Sequence, residues 1–572
     1  MSENITKMLA NSTFLTTTWW PVAHAAPDTV GPLEARKARG AFYTPPELTS
    51  FLVEWAIRSG SDTVLEPSCG EAAFLITAYQ RLRSLALLPP LPNQLVGLDI
   101  DPEAVEEAAA QLACITGEAI LQAADFLAFR TDRRFDVVVG NPPYVRYQSF
   151  AGQARVRAQE AALAQGVRLG GLASSWAAFV LHATSFLKPH GRLALVLPAE
   201  LLTVNYAAPV RRFLMQRFQH VRLVLFEERV FPGVLEEVVL LLAEGQGPTQ
   251  HCELVQGRNV ADLPNLQSHA WTPTDAEDKW IVGLLPNDTG EVYAGMLGVG
   301  KFEPLQRWGE TSLGMVTGNN HYFALTAART RELQLREREL LRICPPGSRH
   351  LRGLNFTERS WREMLDEGSA TYLFDPVDEN LSAAARAYIK LGETVGVDGA
   401  YKCRVRSPWW KVPRVQAPDA FLTYMNHDTP RLVTNRAGVL YLNSIHGVTF
   451  AAERRQLAMD LLPLAMLNSV TLLGAELVGR SYGGGMLKIE PKEADRLPVP
   501  SLALVNAAAR ELRNVRPQLG KHLRQRNLGE AAKVVDRILR SHLKLTSRDL
   551  DKLRSARTIL FSRRIARART QP

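Results

Sequence analysis

Through the first 245 residues, short apolar runs that end in acids or turn residues alternate with stretches of helical period. Val64-Leu65-Glu66-Pro67-Ser68-Cys69-Gly70 reads as a buried strand entering a turn. GLDIDPEAVEEA, Gly97 to Ala108, reads as a strand ending in acids and then a helix. Ala124-Asp125-Phe126 follows another apolar stretch, and FDVVVGNPPYVRY (Phe135 to Tyr147) runs from a strand into a turn. Val221 to Gly245, VRLVLFEERVFPGVLEEVVLLLAEG, reads as two strands around an exposed turn. Strand, turn and helix in repetition, with an acid at successive strand ends, predict a doubly wound α/β sheet. Such sheets bind ligands at the carboxyl ends of their strands.

Beyond this stretch the rhythm changes. Gly, Pro and Asn punctuate residues 246–300, which places a domain boundary near residue 250. Residues 251–500 read as an α+β or irregular β-rich domain. Within it, Leu313 to Leu325 (LGMVTGNNHYFAL) is a strand-turn-strand candidate. The last 72 residues, 501–572, place Leu, Ile and Val at helical spacing among basic residues. Residues 1–35 carry no motif; with Trp19 and Trp20 they form an extension, either a docking arm or a covering segment. The expected organisation is therefore 1–35, 36–250, 251–500 and 501–572.

The 572 residues allow several domains and ample core, and 46% hydrophobic with 22% charged residues is ordinary for a globular chain. No apolar run approaches the length that spans a bilayer, so no membrane partner is expected. The N-terminus lacks a charged start and a small-residue cleavage site, which points to a cytoplasmic protein. Five cysteines without CxxC spacing fit free thiols and suggest neither zinc nor disulfides. Charge is the uneven property. Residues 501–572 hold 18 Lys and Arg against five Asp and Glu, so this stretch carries +13 within a net +9, and the preceding chain about −4. A basic helical end suits contact with phosphates, or is a solvated face of helices docked on the body.

The chemistry concentrates in Asn141-Pro142-Pro143-Tyr144. The Asn141 amide oxygen can accept from an exocyclic amine, and the Pro142 carbonyl is a second acceptor of fixed direction. Two acceptors would turn the nitrogen lone pair out of its ring toward a methyl donor, with Tyr144 as a flat face for the ring. Alone, the tetrapeptide is a strand followed by a Pro-Pro turn. EPSCGEAAF offers Gly70 but no GxGxxG, which argues against nicotinamide and flavin enzymes, and no GxxxxGK[ST] loop suggests ATP.

In order, GAFYTPPELTSFLVEWA (Gly40 to Ala56), VLEPSCG, GLDID, ADF and NPPY resemble the motifs of gamma-class (TaqI-like) S-adenosylmethionine-dependent N6-adenine DNA methyltransferases of restriction-modification type. The resemblance covers roughly residues 36–245. It implies a Rossmann-like methyltransferase domain followed by a target-recognition domain. It implies that Thr44 meets the methionine carboxylate, Glu66 lies near the cofactor's amino group, and Asp99 binds both ribose hydroxyls. Asp125 would accept from the cofactor's adenine amine, with Phe126 as the apolar wall beside that ring. Asp101, followed by Pro102 and Glu103, is the other candidate for the diol, with helix N-cap as the favoured role. Phe231 matches the aromatic of a turn that stacks on the flipped base, or is a hydrophobic turn residue docked on the core.

The resemblance thus implies an adenine flipped out of duplex DNA, held at N6 by Asn141 and Pro142 and stacked by Tyr144 and Phe231, with no metal. Tyr401, Lys402, Arg404, Arg406, Trp409, Trp410 and Lys411 mix basic and aromatic side chains as backbone-tracking surfaces do. Asp428 to Phe450 and Arg480 to Pro500 resemble the distal part of recognition domains in this class. Expected partners are double-stranded DNA in a bacterial or archaeal nucleoid and either a separate cognate restriction endonuclease or none, the enzyme then acting as an orphan regulator. Cytosine N4, RNA and release-factor glutamine remain alternative acceptors for the same pocket, and a DNA-binding protein with a relict pocket is the non-catalytic rival.

Overall fold

The computed structural model describes residues 44–569, apart from residues 87–88, 116–117, 148, 229, 232–236, 250–251, 267, 272, 274–278 and 377–379. The 1–35 extension, with Trp19 and Trp20, and the Gly40 to Tyr43 part of the upstream motif lie outside the described residues.

Nine strands form one sheet in the order β3-β2-β1-β4-β5-β7-β6-β8-β9. They are β1 (Val64–Glu66), β2 (Leu95–Asp99), β3 (Ile120–Ala123), β4 (Phe135–Gly140), β5 (Leu187–Pro198), β6 (His220–Phe226), β7 (Val238–Glu244), β8 (Cys252–Gly257) and β9 (Ser268–Trp271). β1 to β5 run parallel, and β7 lies antiparallel between β5 and β6. This is the doubly wound mixed sheet that the sequence predicts. Its central strands read as continuous apolar runs because both faces are covered. Leu193, Leu195 and Leu197 of β5 and Leu241 of β7 enter one core, whereas Ala194, Val196, Leu240 and Leu242 enter the other.

Helices α1 (Pro46–Ala56), α2 (Ala73–Leu85), α3 (Pro102–Cys114), α4 (Gly152–Ala164) and α5 (Ser175–Thr184) alternate with these strands. α1 places Leu48, Leu52 and Val53 in the second core. Asp101 caps α3, its side chain accepting from the Glu103 N–H at 3.3 Å, with Pro102 in the first turn.

The boundary expected near residue 250 falls inside this sheet. β8 pairs parallel with β6 from Cys252 opposite Val221, and β9 closes on β8. Glycine, proline and asparagine do mark turns here, but the strands between them add to the existing edge.

The second module contains a five-stranded sheet in the order Gly309–Leu313, Ile445–Phe450, Ala420–Thr423, Leu432–Asn435, Asn355–Phe356. The strands of two three-stranded sheets are interleaved with its strands along the chain. The strand-turn-strand expected over Leu313 to Leu325 is not a hairpin. Asn319 instead caps a single helical turn, Asn320–Phe323, accepting from the Tyr322 N–H at 3.2 Å. The strands on either side join different sheets. In the basic-aromatic stretch, Tyr401, Lys402 and Arg404 are exposed. Arg406 instead donates to the carbonyls of Val316 and Thr317, and Trp409 packs on Tyr322 and Phe323.

Helix α6 (Ser469–Val478) is buried on nearly all sides, and three tail helices follow: α7 (Ala509–Arg524), α8 (Leu528–Arg540) and α9 (Ser547–Arg569). The tail is helical as expected, but several of its cations are committed to the body. Arg513 and Arg516 bind Asp460, Arg554 binds Asp536, Arg563 binds Glu237 and Arg564 binds Glu476. The first core runs continuously from the large sheet through Leu422, Val448 and Leu473 to Leu553 of α9. Among the described residues, no single helix is long and apolar enough to cross a membrane.

Candidate active site

The carboxyl ends of β1, β2 and β4 meet at one edge of the sheet and carry three polar turns that bond to one another. Glu66 ends β1 and is only 2% exposed; its Oε2 accepts from the Leu75 N–H at 3.2 Å in the first turn of α2. Burial holds its carboxyl well above the usual range, the Leu75 N–H opposes this, and nearby Asp99 adds to it. Gly70 sits in the left-handed region at φ +47°, which a side chain would resist, and its N–H points to Asp99 Oδ2 at 2.9 Å. The other Asp99 oxygen accepts from the Asp101 N–H at 3.0 Å. Asp99 is thus fixed beside the β1 turn, while Asp101 serves as the cap. Cys69 is buried in this turn as a small packed residue, and burial pushes its thiol up.

The turn after β4 docks on the same group. The Ser68 hydroxyl donates to the Asn141 carbonyl at 3.2 Å. Asn141 Nδ2 donates to Thr44 Oγ1 at 3.2 Å, and the Tyr144 hydroxyl lies 2.7 Å from Asn141 Oδ1 and 3.0 Å from the Val196 carbonyl. The amide of Asn141 is therefore oriented at both ends. An amide oxygen carries two lone pairs, so a bond from Tyr144 does not by itself preclude a substrate amine. Pro142 is buried, and the Tyr144 ring packs against both cores.

Ser175, at the start of α5, braces this turn from behind. Its hydroxyl donates to the Pro143 carbonyl at 2.5 Å and accepts from the Val145 N–H at 2.9 Å. Its own N–H donates to the Val145 carbonyl at 3.0 Å. Sequence reasoning missed this residue. Its only signal is a serine at a helix start, in LASSWAAF.

The remaining expected residues sit further out. Asp125 follows β3, and the Ala124 N–H beside it donates to the Asp99 carbonyl at 2.7 Å. Its Oδ1 accepts from the Leu127 N–H at 3.0 Å, and its Oδ2 pairs with Arg157 of α4 at 2.8 Å. Phe126 is buried in an aromatic cluster with Phe179, His182 and Phe186, with centroids 4.8–5.4 Å away. Of the two places expected for Phe231, the structure shows the one docked on the core and not an exposed position in the turn. It is 4% exposed and belongs to the core against which Tyr144 packs, because an apolar ring beside a covered sheet gains by burial. Pro232 and Gly233 of that turn lie outside the described residues.

Residues 32–263 match the family model described as N-6 DNA Methylase. Over these residues the chain carries an N-6 DNA methylase domain. Residues 277–540 further match the model of the Type II methyltransferase M.Eco57I C-terminal domain. It is 22% identical over 498 residues to the Type II methyltransferase M.AccI of Acinetobacter calcoaceticus, covering 83% of this chain and 87% of that protein. It is 24% identical over 508 residues to M.XamI of Xanthomonas campestris pv. amaranthicola, covering 85% and 90%. Among solved structures, the Type IIL restriction-modification enzyme MmeI in complex with DNA shares the fold, with a TM-score of 0.54 at 12% identity, over 90% of this chain and 75% of that one.

Proposed function

We propose that this methylase transfers a methyl group from S-adenosylmethionine to the N6 amine of an adenine flipped out of duplex DNA. The observation that carries this reading is the bonded set Thr44–Asn141–Tyr144, joined through Ser68 to the turn that holds Glu66 and Asp99. The acceptor-only pair Glu66 and Asp99 fits an ammonium and a vicinal diol, and no phosphate cradle accompanies it. Glu66, Asp99 and Thr44 would hold the cofactor, with Asp125 and Phe126 toward its adenine. When bound, S-adenosylmethionine supplies the electrophilic methyl.

The rest is done by the chain's own groups. Asn141 Oδ1 and the Pro142 carbonyl accept the two N6 hydrogens and turn the lone pair outward. Tyr144 offers its face to the base, and Phe231 lies in the core beneath, where it backs the pocket. Positioning and preorganised acceptors can together supply about 7–11 kcal/mol. Residues of the second module, beyond β9, read the site, and the duplex lies between the two modules. The relatives are named Type II methyltransferases, which supports placing this chain in a restriction-modification system, with a separate cognate endonuclease as the proposed partner.

Long-read sequencing of DNA from a methylation-free bacterial host tests this, comparing the intact protein with Asn141→Ala. N6-methyladenine in one motif, lost in the variant, is the expected result, with transfer lowered at least 10²-fold. N4-methylcytosine would move the target base but keep the pocket chemistry. Near-normal methylation by Asn141→Ala would sink the assignment.

A further inference from the structure

Arg563 and Arg564 are adjacent on α9, yet they serve opposite modules. Arg563, with a side chain 4% exposed, reaches the large sheet. It donates through Nη2 to Glu237 Oε1 at 2.8 Å and through Nη1 to Gln256 Oε1 at 3.1 Å. Gln256, on β8, passes the contact on, its Nε2 donating to Glu227 Oε1 at 2.8 Å. Glu227 immediately follows β6 and Glu237 immediately precedes β7. One relay, Glu227–Gln256–Arg563–Glu237, thus ties together both stems of the connection that carries Phe231. The glutamine is suited to the bridge because it is an acceptor at one end and a donor at the other. The second stem is also fixed to the catalytic edge, since the Glu237 carbonyl accepts from the Ala199 N–H just after β5 at 2.7 Å.

Arg564 faces the recognition module. It forms a fork with Glu476 of α6, at 2.9 and 3.0 Å, in a pair that is 4% exposed on each side. It also donates to the carbonyls of His427 and Gly485, while Arg557, about two turns earlier, donates to the Asp428 carbonyl at 3.0 Å. The fork fixes the rotation of α9, because a bidentate guanidinium–carboxylate pair has one good geometry.

We infer that α9 couples the recognition module to the β6–β7 connection behind the pocket, with Arg563 as the positioning residue that holds the two stems between which Phe231 enters the core. This rests on the methyltransferase reading above. Displacement of the stems shifts the core on which Tyr144 packs, and through it how the base is held, and leaves cofactor binding intact. The coupling also accounts for two buried guanidinium groups at a helix end where exposed cations would be ordinary.

The test uses the full chain, tritiated S-adenosylmethionine and genomic DNA from a methylation-free bacterial host. Arg563→Gln should lower kcat about 10- to 100-fold. The KM for DNA, the Kd for S-adenosylmethionine and the thermal midpoint should stay near the unaltered protein's. Arg563→Lys, which keeps one charged donor, should recover most of kcat. Hydrogen exchange in peptides at the end of β6 and the start of β7 should quicken in Arg563→Gln, with the rest of the sheet unchanged. A kcat within twofold for Arg563→Gln overturns the inference. So does a parallel loss of thermal midpoint and DNA KM, which would make the residue a mere fold support. Absence of transfer by the unaltered protein would sink the methyltransferase reading, and with it the catalytic role given to the clamp.

Discussion

Replacing Glu66 with Gln separates the stability of the empty site from its affinity for cofactor, because the two should move in opposite directions. Glu66 is 2% exposed, accepts one N–H from Leu75, and has Asp99 as a like-charged neighbour. Burial is the largest influence and raises its pKa well above 4.5 in the folded protein. An acid with a raised folded pKa is at no disadvantage below its unfolded pKa, where both states hold the proton. As pH rises from about 4.5 toward the folded pKa, that contribution is lost at roughly 1.4 kcal/mol per pH unit. Glutamine keeps the acceptor for Leu75 and removes the titration. Cofactor-free Glu66→Gln should therefore be more stable than the unaltered protein at neutral pH, with the gap closing toward pH 4.5. A cationic amino group beside Glu66 reverses the preference and favours the carboxylate. Cofactor binding should then release a proton, and affinity should rise with pH by up to about tenfold per unit until the folded pKa is passed. The window closes at about pH 7.7, where the ligand's own amine begins to deprotonate. Loss of a charged hydrogen bond costs about 1.5–3 kcal/mol, so Glu66→Gln should bind the cofactor about 10- to 100-fold more weakly. Titration calorimetry in buffers of different ionisation enthalpy counts the proton, and thermal melts with and without cofactor give both stabilities. Equal affinity for the variant, or binding without proton release, would refute the placement of the amino group at Glu66.

Three further substitutions probe the site and its supports. Ser175→Ala deprives the Pro143 carbonyl and the Val145 N–H of their shared partner, at a cost of about 1–3 kcal/mol. Single-turnover methyl transfer should fall about 10- to 100-fold with cofactor affinity nearly unchanged; an unaltered rate would show that the turn holds its shape without the brace. Asp101→Ala should cost about 0.5–2 kcal/mol of stability through the lost cap and leave the cofactor Kd in place. Asp99→Ala should weaken cofactor binding at least tenfold, measured by the same calorimetry, and the opposite ranking would reassign the diol acid to Asp101.

What was legible in the sequence was what local physics determines. The runs VLE, FDVVVG and VVLLLAE are strands buried on both faces, so these strands could be read directly from their apolar runs. Asp101 announced its cap through Pro102 and Glu103. Asn141 and the acids came together because parallel strands deliver their carboxyl ends to one edge. The unreadable parts depend on partners far along the chain. Cys252–Gly257 is an ordinary short strand until it finds β6, and only that pairing moves the sheet past residue 250. Phe231 lies in a turn whose sequence looks exposed, and its burial comes from the sheet beneath. Arg563 reads as one cation among many, yet its carboxylate partner lies 326 residues away and its amide partner 307.

This division has a mechanical counterpart. The groups proposed to face cofactor and amine are bonded to one another and to Val196 of β5, so their geometry is a property of the large-sheet module. The turn with Phe231 is different: its stems are held by α9, and α9 is locked by the Glu476 fork to the module that would read DNA. A sheet-borne pocket gains nothing from learning which sequence is docked, since cofactor binding is the same at every site. A connection behind the base pocket, held from the recognition side, would gain, because displacement there would change transfer without changing cofactor affinity. On the proposed reading these connections put the dependence on DNA behind the base and leave the cofactor turn outside it. A loss confined to kcat in Arg563→Gln, set against a loss confined to cofactor affinity in Asp99→Ala, is the pattern that this separation requires.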